Sequence, residues 1–289
     1  MERSHHGPFT GAVTAAALLF LFVPIGVVVL FSFHSTGGLS FPFRGFSLRW
    51  YEQVFGSPEF RDASLNSLVV ATATAVVTLP LGTLAAYGLS HTRSRLRGPL
   101  ALLFFLPLTL PGLFIGLSLL VLFTEVEIRA SLSTVTIAHL VYVFPYFMLV
   151  AVAALNRLDV ALEEAAADLG ANGWLVFRRV TLPQVWPVLV GGTSLAFALS
   201  FDEFIITFFV IGADSTLPMF IWSTLRRTVN PSINAISTLL LMVTLVLFAV
   251  SFVLTFRGGR KRGGAIGGEE LMEEALAGET FGTGTGTRT

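Results

Sequence analysis

Residues Leu162–Pro187 read LEEAAADLGANGWLVFRRVTLPQVWP. The acidic, alanine-rich start of this stretch predicts a helix over Asp159–Leu169. Asp159, Glu163 and Glu164 fall in its opening turns, where the helix dipole favours negative charge. Gly170 and Gly173 flank a break, and Asn172 between them suits a turn. A second short helix is expected over Trp174–Val180, with Trp174, Phe177 and Val180 on one face and Arg178 and Arg179 beside it. Thr181-Leu182-Pro183 then leads into the next apolar run. Two short helices meeting at a glycine elbow, with an apolar face, suit docking on a partner protein. A helix lying on lipid headgroups fits the same pattern.

Outward from this stretch the chain is apolar. Its 289 residues are 54% hydrophobic and only 12% charged, with a mean hydropathy of +0.78. A soluble domain carries about 25% charge, so a membrane protein is expected. A spanning helix needs about 20 mostly apolar residues. Six stretches qualify: Ala12–Phe33, Leu65–Leu89, Pro99–Phe123, Thr134–Leu155, Pro187–Ile211 and Ile233–Phe256. The first is too long for a signal-peptide core and lacks a small-x-small site after it, so it is expected to stay. Prolines 24, 80, 107, 111 and 145 lie within spans, where neighbouring helices re-satisfy the freed carbonyls. Gly112 with Gly116, and Gly82 with Ala86, form small-residue faces for close helix packing.

Arginine placement orients the bundle. Twelve basic residues, among them Arg93, Arg95, Arg97, Arg157, Arg178 and Arg179, fall on the side of both termini, and six fall opposite. The richer side is expected to be cytoplasmic, both termini included. The outer loop His34–Ser64 carries Phe41, Phe43, Phe46, Trp50 and Tyr51, which suit the membrane interface. Beyond Gly258 the acidic run Glu269–Glu274 and the Gly-Thr repeats read as disordered. Net charge is zero with no polybasic block, so nucleic acid is not an expected partner. Without cysteine there is no disulfide framework, zinc-cysteine site or thiol catalyst, and His5 and His6 lack companions for a metal. Lys261 is the one lysine and is followed by Arg262, so there is no nucleotide-binding P-loop. No cofactor is expected.

Asp202 and Glu203 lie deep in the fifth stretch, where an ionisable group costs about 2.5–3.5 kcal/mol on insertion scales. In a continuous helix Thr193, Ser200, Glu203 and Thr207 share a polar stripe, and Asp202 sits a step round. Two readings stand: a cation route or gate made by Asp202, Glu203, Ser200 and Thr207, or structural pairing. His139 reads as a hydrogen-bonded helix contact, and Glu125 and Glu127 as outer groups, solvated or at a cation entrance. A gradient-driven carrier working through Asp202 and Glu203 is a rival class. An intramembrane hydrolase lacks a Gly-x-Ser-x-Gly motif and a second transmembrane aspartate.

Glu164-Ala165-Ala166, Gly170 and Val180-Thr181-Leu182-Pro183 resemble the EAA signature of the membrane subunits of bacterial ATP-binding-cassette importers. That signature is EAA, three residues, G, nine residues, I-x-LP, and valine for isoleucine at 180 is the one departure. The resemblance implies an all-α type I importer permease with six spans, in the bacterial plasma membrane. It implies a coupling loop at 156–186, in which Glu164, Ala165, Ala166, Gly170, Trp174, Phe177, Arg178, Leu182 and Pro183 meet an ATPase. Implied partners are a second permease subunit, two ATPase subunits and an extracytoplasmic solute-binding protein; the chain itself is no enzyme. Residues 1–60 would hold the first helix and outer loop, 61–256 the transmembrane domain, and 257–289 a tail. WYEQVF, LNSLVVATATAVVTLPLGTLAAYGL, LSFDEFIITFF and TLPMFIWSTLRRTVNPSINAISTLLL are similar to the second permease subunit of spermidine/putrescine importers. Related branches carry ferric iron, thiamine, opines or aminophosphonates.

Overall fold

The computed structural model describes residues 8–37, 43–92, 94–227, 231–246 and 249. Arg93, His5, His6, Phe41 and the tail 257–289 named above lie outside them, as do residues 247–248 and 250–256 of the sixth stretch. Among the described residues the regular structure is helical, apart from one isolated bridge, His34 to Phe46.

Helix α1 (Pro8–Ser32) is apolar all round, and none of its spanning window is buried by the rest of the chain. Its sides are therefore left to lipid or to another chain. Trp50 Nε1 donates to His34 O at 2.7 Å, and Ser32 Oγ lies 2.7 Å from Tyr51 Oη. These bonds hold α2 (Arg49–Phe55) to the end of α1. Ser57 then caps α3 (Pro58–His91), its hydroxyl accepting from Phe60 N–H at 3.2 Å, with Pro58 in the first turn where its missing N–H costs nothing. At 34 residues α3 runs about 51 Å, well beyond the apolar thickness of a bilayer.

The third apolar stretch, expected as one span over Pro99–Phe123, is broken. Helix α4 (Arg97–Phe105) runs into a tight turn at Leu106–Thr109, and α5 (Gly112–Glu125) leaves at 106°. Pro111 sits in extended backbone at the start of α5. Pro107 and Pro111 each remove an N–H; Leu106 keeps helical φ and ψ, and the chain leaves helical geometry at Pro111, with ψ 140°, so that two prolines four residues apart break the helix. Helix α6 (Leu132–Leu155) keeps Pro145 inside and runs on as one span.

After α6 come α7 (Val160–Asp168) and α8 (Gly173–Val176), close to the expected pair. The second helix does not end at Val180, however. It passes through a π-helical turn, Phe177–Thr181, into α9 (Leu182–Asp202), giving one continuous helix over Gly173–Asp202. Neither Pro183 nor Pro187 stops it; the wide turn stands just before Pro183. The expected fifth span, Pro187–Ile211, instead ends at Asp202, and α10 (Ile205–Val210) restarts after Glu203 and Phe204. Helix α11 (Leu217–Arg227) follows, then α12 (Ser232–Val246), which is the described part of the sixth stretch. Among the described residues, four helices are long and apolar enough to cross a membrane, and the bent pair α4–α5 makes a fifth.

The described chain forms two compact units. One comprises the residues up to Thr74, Thr109–Tyr142 and Phe197–Val246. Its packing centres on Ile206, Val210, Val135 and Ala138, with a second cluster of Phe60, Ala71, Phe201 and Ile236. A Cβ on Gly116 would come 2.8 Å from the Phe209 ring and 3.1 Å from Ile206 Cα, so α5 and α10 touch backbone to backbone. The other unit comprises Ala75–Leu108 and Val143–Ala196. Its core holds Phe147, Met148, Leu189 and Val185, and the Phe147 ring fills the space that a side chain at Gly82 would occupy. Both small-residue faces thus serve close packing.

Candidate functional site

Two places carry the residues singled out above. The first is the elbow between α7 and α8. Asp159 caps α7, its Oδ1 accepting from Ala161 N–H at 3.0 Å. At the far end Gly170 takes φ +87°, Gly170 N–H donates to Ala167 O at 2.9 Å, and Ala171 N–H donates to Ala166 O at 3.1 Å. This paired closure is the Schellman motif, and its left-handed position is why a glycine stands there. Asn172 starts the next helix at once, Oδ1 accepting from Leu175 N–H at 2.9 Å. Asn172, expected in a turn, is therefore a helix cap.

The elbow's side chains divide into two sets. Glu164, Ala165, Trp174, Arg178 and Pro183 are exposed, and Leu169 at its tip is 91% exposed. Phe177 is buried against Tyr87, with ring centroids 4.7 Å apart, and Leu182 packs against the Phe147 core. The expected face of Trp174, Phe177 and Val180 is thus split: only Trp174 stands outward, because the π-helical turn draws Phe177 under α3. Glu163 was not singled out beyond its place near the helix start. Its Oε1 accepts from the buried Thr181 hydroxyl and its Oε2 lies 2.8 Å from His91 Nε2. Seventy-two residues separate His91 from Glu163, so no local pattern in the chain signals the pair.

The second place is the break after α9. Glu203 Oε1 accepts from Ile206 N–H at 2.9 Å, so this carboxylate caps α10. Thr207 donates to Glu203 O at 3.0 Å. His139, 1% exposed on α6, joins both sides of the break, with Nδ1 2.7 Å from Ser200 Oγ and Nε2 2.8 Å from Thr207 Oγ1. Thr207 spends its one proton on Glu203 O, so it accepts from His139 Nε2–H, and Ser200 donates to Nδ1. The polar stripe expected of a continuous helix does not form, since the helix stops before Glu203; Thr193 instead donates to its own α9 carbonyl, Leu189 O. Ser200 and Thr207 are buried, and Asp202 is exposed. Glu125, the last residue of α5, and Glu127 just beyond it are exposed, Glu127 at φ 55°.

Among the described residues, four helices and one bent pair of membrane-spanning length thus accompany an exposed elbow. Residues 78–258 match the family of binding-protein-dependent transport system inner membrane components, and the chain belongs to that family. It is 34% identical over 264 residues to the putrescine transport system permease protein PotI of Escherichia coli K12, covering 88% of this chain and 93% of PotI. With the spermidine/putrescine transport system permease protein PotC of Haemophilus influenzae it shares 32% over 238 residues, covering 82% and 92%. In fold it matches a solved bacterial ABC transporter involved in alginate import, at TM-score 0.68 and 16% identity, over 86% of this chain and 94% of that one. The protein is a permease subunit of an ABC importer, a transport component and not an enzyme.

Proposed function

We propose that this chain is one of a pair of permease subunits that carry a polyamine of the spermidine or putrescine kind across the bacterial plasma membrane. The likeness to PotI and PotC over more than four-fifths of the chain is the observation that carries the solute. The chain crosses six times with both termini in the cytoplasm: at α1, α3, the bent α4–α5, α6, the α8–α10 stretch, and Ile233–Phe256, which contains most of α12. The arginine excess on the elbow side supports this orientation.

The elbow, 156–186, is then the cytoplasmic coupling loop. Gly170 and Ala166 shape it, Phe177 and Leu182 anchor it, and Glu164, Ala165, Leu169, Trp174, Arg178 and Pro183 meet one of two ATPase subunits. ATP binding closes the ATPase pair, the elbow moves as a lever, and the bundle opens toward an extracytoplasmic solute-binding protein; hydrolysis resets it. Within the bundle, Asp202 is the carboxylate assigned to the cation route, being exposed where Glu203 is held as a helix cap. Glu203, Ser200 and Thr207 set the shape of the gate around it.

The test is uptake of radiolabelled putrescine and spermidine in cells lacking this chain, with the rest of its operon intact. Uptake restored by the wild type, and not by Gly170→Pro or Glu164→Arg, is the expected result. Unchanged polyamine uptake on deletion would overturn the solute and direct the same strains to iron, thiamine, opines and aminophosphonates. Normal uptake in either elbow variant would overturn the coupling assignment.

A further inference from the structure

His91 is the last residue of α3, and both of its ring nitrogens face oxygens. Nδ1 lies 2.9 Å from Tyr87 O, a carbonyl that can only accept, so Nδ1 carries a proton. Nε2 lies 2.8 Å from Glu163 Oε2, whose carboxylate also receives the Thr181 hydroxyl on Oε1. A neutral imidazole has a single N–H. The arrangement therefore holds one proton more than a neutral imidazole and a carboxylate carry between them, which makes it an imidazolium–carboxylate pair.

We propose that His91, in this protonated form, is a positioning residue for the coupling loop. Through Glu163 it ties α7 to the end of α3, while Thr181 ties the same carboxylate to the π-helical turn that leads into α9. The proposal rests on the coupling role assigned to the elbow above. Glu163, and not its signature neighbour Glu164, is the anchor: Glu163 points into the chain, and Glu164 is exposed. The charged and titratable groups around the ring are Tyr87 one turn back on α3, its ring tilted with centroids 4.1 Å apart, Glu163 on α7, and Arg97 from α4. Arg97 lines the same cavity of about 380 Å³ as His91 and Glu163; the end of α6 adds Leu155, Asn156 and Leu158 and no charge.

When the extra proton leaves, a ring lone pair faces a carboxylate, and one of the two must turn away. The tie is complete while the extra proton is held and is lost when it leaves. The caps at Asp159 and Asn172 and the closure at Gly170 use none of these atoms. The elbow loses its attachment, and α7, held by its own caps alone, opens more often. Transport then becomes sensitive to acidity on the elbow side of the membrane.

The experiment uses the complete importer reconstituted in vesicles, with ATP hydrolysis measured from pH 6 to pH 8 in wild type, His91→Arg and Glu163→Gln. Arginine keeps donating at every pH, and glutamine can donate to a neutral ring, so neither variant needs the titrating proton. Activity of the wild type relative to each variant is expected to fall about two- to fivefold across the range, which is what a partly exposed ion pair supports. Parallel profiles in all three would overturn the proposal. Should a variant fail to assemble, deuterium exchange of the α7 amides in the wild-type importer, corrected for the intrinsic effect of pH, gives the same answer. Extra loss of protection at pH 8 supports the tie, and equal protection overturns it. Gly170→Pro and Glu164→Arg separate the two assignments: if they abolish putrescine uptake while the pH profiles stay parallel, the tie alone fails. If uptake survives them, the coupling role fails first.

Discussion

Replacing Gly170 by alanine separates backbone conformation from every other cause of the elbow's shape. Gly170 has φ +87°, and a Cβ built there meets nothing within 4 Å, so no neighbour has to move. What remains is the cost of holding an L-residue in left-handed geometry, about 1–2 kcal/mol. That shifts the ratio of formed to opened elbow about 5- to 30-fold. Gly173 is the internal control: its φ is ordinary, a Cβ there also meets nothing within 4 Å, and it opens α8. Alanine at 173 gains up to about 1 kcal/mol of helix propensity. The two substitutions, three positions apart, should therefore act with opposite sign. The assay is amide exchange over α7 in the assembled importer, which reads local opening directly. Exchange is expected to quicken about 5- to 30-fold in Gly170→Ala, less in Gly170→Asn, and to slow or hold in Gly173→Ala. Equal effects at 170 and 173 would refute the conformational account and leave side-chain crowding by a partner as the cause.

Phe147→Ala should lower stability by about 3–5 kcal/mol, read as a fall in the melting temperature of the purified importer, because the ring fills the space over Gly82 and lies against Gly192. Gly82→Ala should destabilise and Gly88→Ala should not, since Gly88 has no atom near its missing Cβ. At the α9 break, His139→Ala should cost about 1–3 kcal/mol through the hydroxyls it strands, and Thr207→Val added to it should cost little more. Additive losses in thermal melts would show that His139 and Thr207 do not act together. Asp202→Asn should cut putrescine uptake while melting temperature holds, whereas Glu203→Ala should lose about 1 kcal/mol of cap. Equal uptake in wild type and Asp202→Asn would remove Asp202 from the cation route.

Much of this architecture is legible in the chain because its causes are local. Long apolar runs placed α1, α3 and α6 to within a few residues, apart from the early start of α3 at Pro58, where a Ser-Pro cap extends it past the apolar run. At the elbow, Asp159, Gly170 and Asn172 act on backbone groups within a few residues of themselves, so the two short helices were foreseeable. Pro107 and Pro111 were also visible, but each alone is tolerated in a span; their spacing is what breaks it. The break after Asp202 has no proline or glycine to announce it. It arises because Glu203 prefers the Ile206 amide, and because His139, from another helix, holds Ser200 and Thr207 on either side. His91 and Glu163 meet across 72 residues, and only the fold brings them together.

The hydrogen bonds that close the elbow's turn and caps span very little chain, as from Ala171 to Ala166. Contacts of such short separation close on the scale of a microsecond or less, long before distant helices can meet. An order of events in folding is therefore expected: the elbow takes its shape early. Its moorings to the bundle, which wait on residues far away in the chain, come last.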